Sequence, residues 1–440
     1  MSTLLIKNGL LVTLNDQNQV IENGSVYIEG AKITEVGHFH EHRYKADQVL
    51  DAGGRLVMPG LINAHHHLYS TFACGFAPPG KPAVNFKEIL EHLWWKVDLA
   101  LTAEDVYYSA LLPLMDCVKH GVTTIIDHHA SPSCRDGSLD LIEKAVREVG
   151  INANLCYEVS DRNIEGGGIE ENERFIRKCA QSADDQVTAL FGLHASMTIG
   201  PKTMDRCATI GREHGAGFHV HVAEDLIDQE VAQKEFGKQC MVRFRDAGMT
   251  GPKSLFIHGV HLDDPELDIL AETRSIHVHN AESNMNNAVG SARLGRFWKR
   301  GILSGLGTDG MASNMIASAR AAYLLQRHLE HDPRVAFGEC CDALLKKNRE
   351  ICERLFKTRR GVLAPGALGD VAIFDYTPFT PLSGDNFYGH FLFGLYQARV
   401  NATVCRGRVL MKDGVLPHLD EAGARRKARE LAAKMWKRIQ

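Results

Sequence analysis

The chain contains the stretch Val57-Met58-Pro59-Gly60-Leu61-Ile62-Asn63-Ala64-His65-His66-His67, in which three histidines end an apolar run. A short apolar run of this kind, punctuated by Pro-Gly, predicts a buried strand. Because successive strand residues face opposite sides of a sheet, His65 and His67 share one face and His66 points the other way. Two imidazoles on one face at a strand end form half of a metal site.

Between about Met58 and Leu363, short apolar runs alternate with helical patterns. This alternation predicts βα units and a parallel sheet. The segment has the length of one (β/α)8 TIM barrel, about 250 residues, with insertions. The predicted fold class is therefore α/β, with a TIM barrel over residues 58–363. The active site of such a barrel lies at the C-terminal ends of its strands, where the histidine pair is found.

Both ends of the chain outside the barrel consist of short apolar runs separated by turn residues. The predicted strands are Leu4–Ile6, Leu10–Thr13, Ser25–Ile28 and Lys32–Val36 near the start, and Gly369–Asp375 and Ala402–Leu410 near the end. Two short β segments can bury their apolar faces against each other. Residues 1–57 and 364–415 are therefore predicted to form one small, discontinuous β-sandwich.

The last segment, 416–440, has the pattern of a basic amphipathic helix. Asp420 can cap its start, Leu431, Met435 and Ile439 recur at every fourth position, and Lys or Arg residues cover the other faces. Such a helix can bind an anionic membrane. Packing on the β-sandwich or at a subunit interface is the favoured interpretation.

The composition argues against nucleic acid and membranes as partners. The 440 residues carry a formal net charge of -4, so the chain lacks the basic excess that neutralises phosphates. Neither a signal sequence nor an apolar run long enough to span a bilayer is recognisable. The eleven cysteines lack paired CxxC spacing, which favours reduced thiols. We therefore expect a cytoplasmic protein that binds a small molecule and forms a homo-oligomer, in the simplest case a dimer.

Two further segments supply the remaining candidates for the metal site. Phe218–Glu224 contains His219 and His221, which share a strand face, so periodicity alone leaves open which of them binds the metal. Leu306–Gly310 ends an apolar run with the carboxylate of Asp309. A catalytic metal site needs three or four protein ligands and an open position for water.

In this order, the segments resemble the amidohydrolase superfamily and, within it, the single-metal aminohydrolases that deaminate nitrogen heterocycles. The stretches Asp127–Pro132, Ser283–Asn287 and Trp94–Trp95 are most similar to the SsnA branch, whose members are related to guanine, 8-oxoguanine and isocytosine deaminases. The resemblance implies one divalent metal, zinc first and iron as the alternative. It also implies a set of four ligands, namely His65, His67, His221 and Asp309.

The resemblance further implies three catalytic roles. The family pattern His-x-x-Glu makes Glu224 the group that protonates a ring nitrogen of the substrate. His258 matches a histidine on the sixth strand that is not a ligand and that stabilises charge in the transition state. Asp309 acts both as a ligand and as the base for the attacking water. The implied reaction replaces an exocyclic amino group of a cyclic amidine by oxygen and releases ammonia.

Substrate contacts are expected from loops above the barrel. One of two adjacent tryptophans on a helix can form a flat wall for a planar ring, while the other enters the core. Packing and buried hydrogen bonds are the alternative roles of all these candidates. The candidate substrate contacts are Trp94, Trp95, His129, His194, Ser283 and Asn284. Ala281 stands where the family pattern has proline, so the conformation of the loop that carries Ser283 is less certain than its position.

Three alternatives to a deaminase were weighed. A two-metal cyclic amide hydrolase of the dihydropyrimidinase type needs a bridging lysine, and neither Asn152–Cys156 nor Phe191–His194 contains one. Hydrolytic dechlorination of a triazine-like ring would use nearly the same site, so it stays open. A scaffold without catalytic activity predicts eroded ligands, whereas every expected ligand, Glu224 and His258 are present.

Overall fold

The computed structural model describes residues 2–39 and 45–439. Met1, residues 40–44 and Gln440, which belong to the predicted ranges 1–57 and 416–440, lie outside the described residues. The strands are β1 (Thr3–Val12), β2 (Val20–Glu29), β3 (Lys32–Gly37), β4 (Gln48–Asp51), β5 (Leu56–Pro59), β6 (Leu61–His66), β7 (Val122–Asp127), β8 (Asn152–Leu155), β9 (Val187–Ala189), β10 (Phe191–Ala195), β11 (Phe218–Val222), β12 (Leu255–His258), β13 (Ile276–His279), β14 (Leu303–Leu306), β15 (Val371–Phe374), β16 (Val400–Cys405) and β17 (Arg408–Lys412).

Helices connect most of these strands. The α-helices are α1 (Phe86–Ile89), α2 (Trp95–Ala100), α3 (Ala103–Lys119), α4 (Ser138–Val149), α5 (Ile169–Ala180), α6 (Pro201–Glu213), α7 (Leu226–Phe236), α8 (Cys240–Asp246), α9 (Asp264–Glu272), α10 (Ala281–Asn286), α11 (Leu294–Trp298), α12 (Met315–Glu330), α13 (Phe337–Asp342), α14 (Asn348–Leu355), α15 (Phe387–Gly389) and α16 (Glu421–Ile439). Single π turns span Leu90–Trp94, Ala343–Lys347 and His390–Gly394, and 3-10 turns span Leu68–Ala73, Pro132–Cys134, Ser196–Thr198 and Leu395–Gln397.

The middle of the chain forms the predicted barrel. Strands β6 to β9 make one parallel sheet and β10 to β14 another, each in chain order. Only Leu190 separates β9 from β10, so these two act as one interrupted strand. Parallel bridges between Val159 and Leu193 and between His66 and Asp309 join the two sheets at both edges. The eight-stranded barrel is therefore closed, and the predicted fold class is confirmed.

The two ends of the chain form one mixed sheet, in the order β17-β16-β15-β5-β1-β2-β3 with β4 also paired to β1. The residues Leu4–Ile6 and Leu10–Thr13 were predicted as two strands, but all of them except Thr13 belong to the single strand β1. Asn8 has a φ of 56°, and the pairing with β2 shifts between Ile6 and Gly9. This bulge bends β1 without ending it. Its first half pairs with β4 and its second half with β5, and the sheet encloses its own apolar core.

The chain passes from this sheet into the barrel at Gly60, between β5 and β6. A Cβ added at Gly60 would lie 2.3 Å from Thr123 Oγ1, so only glycine fits this close approach. The amide of Gly60 donates to the carbonyl of Asp370 and that of Leu61 to Gly121. One strand of the terminal sheet is thereby continuous with the strand that carries His65 and His67.

The basic C-terminal segment forms α16, and the carboxylate of Asp420 accepts a hydrogen bond from the amide of Gly423 at 2.9 Å. Leu431 and Met435 are buried, and the helix contacts α2 and α3 of the barrel. Across residues 2–39 and 45–439, no helix combines the length and apolar character needed to cross a membrane.

Candidate metal centre and active site

The candidate catalytic residues lie at the C-terminal ends of four barrel strands, β6, β11, β12 and β14. Three residues here have left-handed backbone conformations that non-glycine residues rarely adopt: Ala223 (φ 45°), His258 (φ 72°) and Asp309 (φ 54°). Such conformations are costly and concentrate at functional sites, because they aim a side chain that a continuing strand would direct elsewhere. The backbone at these strand ends therefore directs the side chains of His258 and Asp309 away from the course of a regular strand.

The four expected ligands meet at one point. One ligand atom from each of His65, His67, His221 and Asp309 lies within 4.8 Å of the other three. Asp309 Oδ1 is 3.0 Å from His67 Nε2 and 3.6 Å from His65 Nε2, and the Nε2 atoms of His67 and His221 are 3.1 Å apart. Four ligands held about 2.1 Å from a tetrahedral ion lie about 3.4 Å from one another. The spacing matches.

Backbone carbonyls determine the tautomers of two of these imidazoles. His67 Nδ1 donates to the carbonyl of His128 at 2.6 Å, and His221 Nδ1 donates to that of His194 at 2.7 Å. The Nε2 atoms of His67 and His221 therefore both face the space beside Asp309. Because two nitrogen lone pairs repel each other at this distance, a proton or a cation must lie between the two Nε2 atoms. Burial lowers the pKa of His67, but the carboxylate of Asp309 raises it to about 9. A metal ion that binds here displaces that proton.

The choice between His219 and His221, which strand parity leaves open, is decided by tertiary contacts. His219 Nε2 lies 2.9 Å from His65 Nδ1, behind the cluster rather than in it. With His65 Nδ1–H donating to His219, the Nε2 of His65 makes no hydrogen bond within the described residues and faces Asp309 at 3.6 Å. Burial lowers the pKa of His65 well below its ordinary value, so this ring is neutral, as a metal ligand must be. His66 lies outside the cluster, as alternation predicts.

These donors fit a divalent metal ion. Three imidazole nitrogens and one carboxylate converge on a buried point and leave its remaining side to the cavity. Imidazole and carboxylate ligands together suit zinc and iron better than magnesium or calcium, which prefer oxygen ligands. The carbonyl bonds to the far nitrogens supply the outer support that orients metal-binding histidines.

Glu224 lies beside the cluster, and its surroundings favour the protonated form of its carboxyl group. Burial, reinforced by the charge of Asp309, raises the pKa of Glu224 well above its ordinary value. Asn287 Nδ2 donates to its Oε1 at 3.2 Å, and its Oε2 lies 3.3 Å from His258 Nε2. A buried carboxylic acid next to the metal point can give a proton to a substrate.

Asp309 has the opposite protonation state. Burial alone would raise the pKa of Asp309, but the contacts with His65 and His67 hold it well below its ordinary value. The hydroxyl of Ser283 also donates to its Oδ2. The surroundings therefore favour the neutral form of Glu224 and the ionised form of Asp309, an arrangement that can divide acid and base roles between two carboxyl groups.

His258 is oriented by Asn284. His258 Nε2 lies between the carboxyl groups of Glu224 (3.3 Å) and Asp309 (3.8 Å), so this nitrogen carries the proton. The other nitrogen, Nδ1, then accepts a hydrogen bond from Asn284 Nδ2 at 2.9 Å. Asn284 is fully buried on α10 and is not among the described residues that border the cavity, which favours a role in positioning His258. The substrate contact expected from the sequence stays a prediction.

Asn284→Leu is expected to lower kcat about 10- to 100-fold, the usual effect of removing a residue that orients a group at a metal centre. Metal content and KM should change little, because the side chain contacts neither ligands nor cavity. Steady-state kinetics with elemental analysis of the purified variant tests this. A rise in KM at constant kcat would instead restore the substrate contact predicted from the sequence.

One cavity opens onto the metal point, and four of the six predicted substrate contacts border it: Trp94, Trp95, His194 and Ser283. Both tryptophans border the cavity, whereas only one of them was expected to. The helix widens at the π turn Leu90–Trp94, which reduces the angle between the side chains of neighbouring residues. Trp94 reaches within 3.6 Å of the position that a Cβ on Gly310 would occupy, next to Asp309. His129 is buried, hydrogen-bonds to Ser131 Oγ at 2.9 Å and is not among the described residues that border this cavity, so its substrate contact stays a prediction.

Several cavity residues were not found from the sequence. Arg162 donates to Asp98 at 2.8 Å and to Glu158 at 3.1 Å, and its guanidinium lies 4.9 Å from the ring of Trp95. Asp98 and Glu158 both border the cavity. Burial raises the pKa of Asp98 to about 7, although Arg162 opposes the rise. Asp98 follows Trp95 by three residues on one helix, a spacing that places both on one face, whereas nothing local marks Glu158 or Arg162.

Comparison with known proteins agrees with this geometry. The amidohydrolase family model matches residues 56–410. A 5'-deoxyadenosine deaminase of Methanosarcina mazei is 30% identical over 448 residues, which covers 100% of both chains. A 5-methylthioadenosine/S-adenosylhomocysteine deaminase of Thermococcus sibiricus is 30% identical over 421 residues, 93% of this chain and 94% of the relative. A solved adenosine deaminase from Xanthomonas campestris with bound zinc superposes with a TM-score of 0.86 at 19% identity, over 99% of this chain and 98% of that one. The chain belongs to the amidohydrolase family.

Proposed function

We propose that the protein is a zinc-dependent hydrolase that deaminates a nitrogen heterocycle of the amino-purine or amino-pyrimidine class. The observation that carries the proposal is the convergence of His65, His67, His221 and Asp309 next to the buried carboxyl group of Glu224, whose pKa is raised. The full-length relatives support it, because they are deaminases of adenosine derivatives, in which the amino group is attached to an amidine carbon of the ring. A cytoplasmic location and a homodimer remain predictions.

A divalent metal held by these four residues would lower the pKa of water towards neutrality and stabilise negative charge on oxygen. The ionised carboxylate of Asp309 is placed to take the proton from the attacking water. Glu224 is placed to give its proton to the ring nitrogen next to the attacked carbon. The Nε2–H of His258 points to the same space and can donate a hydrogen bond to the developing oxygen anion.

The protons balance over the whole reaction. Oxygen adds to the amidine carbon, the ring nitrogen receives the proton of Glu224, and Asp309 receives one proton of the water. The hydroxyl proton of the tetrahedral carbon then returns to Glu224, and Asp309 passes its proton to the amino group. The carbon–nitrogen bond breaks, ammonia leaves, and both carboxyl groups recover their starting states.

No lysine borders the cavity within the described chain, so the structure adds no support to the two-metal alternative.

The direct test is ammonia release by the zinc-loaded protein. The panel should include adenosine, 5'-deoxyadenosine, 5-methylthioadenosine, guanine, 8-oxoguanine, isocytosine, cytosine and amino- and chlorotriazines. We expect ammonia from at least one amino-substituted ring, and release from the same substrate that is at least about 10²-fold slower with the Glu224→Gln variant. Chloride release from a chlorotriazine without ammonia from any amino compound would favour a dechlorinase instead.

A further inference from the structure

The C-terminal helix α16 crosses the outside of two segments that form part of the cavity wall. The first is the 3-10 turn Leu68–Ala73, which follows the ligand His67 directly, and the second is α2 (Trp95–Ala100). We call these two segments the first-loop wall. Four of their residues border the cavity: Tyr69, Ser70, Trp95 and Asp98.

Trp436 joins α16 to the first of these segments. Its indole Nε1 donates to the carbonyl of Phe72 at 2.7 Å. The indole ring lies 5.5 Å from the ring of Phe76, and its Cη2 is 3.9 Å from the position that a Cβ on Gly75 would occupy. The last carbonyls of a short 3-10 turn have no partner within the turn, so a donor from another element is needed to hold its end.

Arg438 joins α16 to the second segment. Its Nε donates to the carbonyl of Ala100, the last residue of α2, at 2.9 Å. The same guanidinium pairs with the fully buried carboxylate of Asp105. Asp105 in turn accepts from the amide of Thr102 at 2.8 Å, in the capping box that begins α3. One arginine therefore holds both the end of α2 and the start of α3.

The opposite end of α16 makes contacts of a different kind. Lys427 pairs with Glu104 at 2.7 Å and Arg425 with Asp116 at 3.1 Å, and both pairs are partly exposed contacts with α3 alone. Exposed ion pairs of this type contribute little to stability. The contacts near the C-terminus of α16 are thus the ones that reach the first-loop wall.

We propose that α16 is a brace for the substrate cavity, and that Trp436 and Arg438 are positioning residues that set the placement of Tyr69, Ser70, Trp95 and Asp98. The proposal rests on the proposed function for its kinetic consequence, but its structural consequence does not depend on any substrate. It assigns a role to the basic C-terminal helix.

The variants for the test are Trp436→Phe, which keeps the ring and removes the donor, and Arg438→Met, which keeps most of the side-chain length. Lys427→Met on the same helix is the matched control. Amide hydrogen exchange is measured on the full-length, zinc-loaded protein, with metal content by elemental analysis. We expect faster exchange in the peptides that cover residues 68–76 and 95–102 in the first two variants, with unchanged exchange in the barrel strands and unchanged metal content.

For the best substrate of the panel, KM is expected to rise about tenfold in Trp436→Phe and in Arg438→Met, which is what the net loss of a hydrogen bond of ordinary strength predicts. The kcat should stay within about twofold, because the ligands, Glu224 and His258 are untouched. Lys427→Met should match the wild type in both measurements. Uniformly faster exchange that includes the barrel strands, or unchanged exchange in both peptides, would overturn the brace. If no compound on the panel is turned over, the proposed function fails while the exchange data still decide this proposal.

Discussion

The variants His65→Ala and Asp309→Ala are expected to lose their bound metal, whereas His66→Leu is expected to keep about one ion per chain, as a single-metal site requires. His65 and Asp309 contribute ligand atoms to the cluster, and His66 contributes none. Turnover should fall at least about 10⁴-fold in Asp309→Ala, because one substitution removes both a ligand and the base. Elemental analysis after dialysis, with circular dichroism to confirm folding, is the measurement.

His66→Leu is a demanding control because His66 is itself buried and follows His65 directly. Both of its ring nitrogens lack a hydrogen-bond partner, so an apolar side chain of similar size leaves no partner unpaired. Equal metal content in all three variants would show that the ion is held elsewhere. Loss of metal from His66→Leu alone would reverse the assignment of strand faces.

The second large effect is expected from Glu224→Gln. Metal binding should be retained, because Glu224 is not among the four ligands, while kcat should fall about 10²- to 10⁴-fold, the range for loss of a general acid. Glutamine keeps the shape and the contact with Asn287 but has no acidic proton to give. The comparison of kcat and metal content on one preparation is the measurement.

The pH dependence gives an independent check of the same role. Glu224 acts in its protonated form, and its pKa is raised, so wild-type activity should be present below that raised pKa and be lost as the pH rises through it. Asp309 acts ionised with a lowered pKa, so activity should persist on the acid side until that group is protonated. In the Glu224→Gln variant, the residual activity should not show this fall at high pH, the alkaline limb of the pH–activity profile. An unchanged alkaline limb in that variant would assign it to another group.

Residue patterns along the chain were enough to predict the elements that carry the site. The alternation of apolar runs and helices led to the barrel, and strand alternation separated His65 and His67 from His66. The ends of the chain were predicted to pair, but β1 was divided in two because a bulge at Asn8 resembles a turn when its partner strands are unknown. Only pairing with β2, β4 and β5 shows that the strand continues.

In the candidate site, too, some features followed from the sequence and others only from contacts between distant segments. Parity could not separate His219 from His221, because both lie on one face of one strand and differ only in depth along the barrel axis. The contact of His219 with His65, and the carbonyl that turns His221 Nε2 inward, come from strands far apart in sequence. The substrate contacts expected for His129 and Asn284 stay predictions; in the structure the side chain of His129 is hydrogen-bonded to the nearby Ser131 and that of Asn284 to the distant His258.

The sequence by itself determined the type of fold, the strands that bear the catalytic residues and the chemical kinds of ligand, because these depend on local periodicity and residue type. The tertiary structure alone decided which nitrogen of each imidazole faces the metal point, which of two neighbouring carboxyl groups has the raised pKa, and how Asp98 and Glu158, both paired with Arg162, border the cavity. Tautomers and pKa values depend on burial and on partners brought together from distant segments, and no local pattern records those distances.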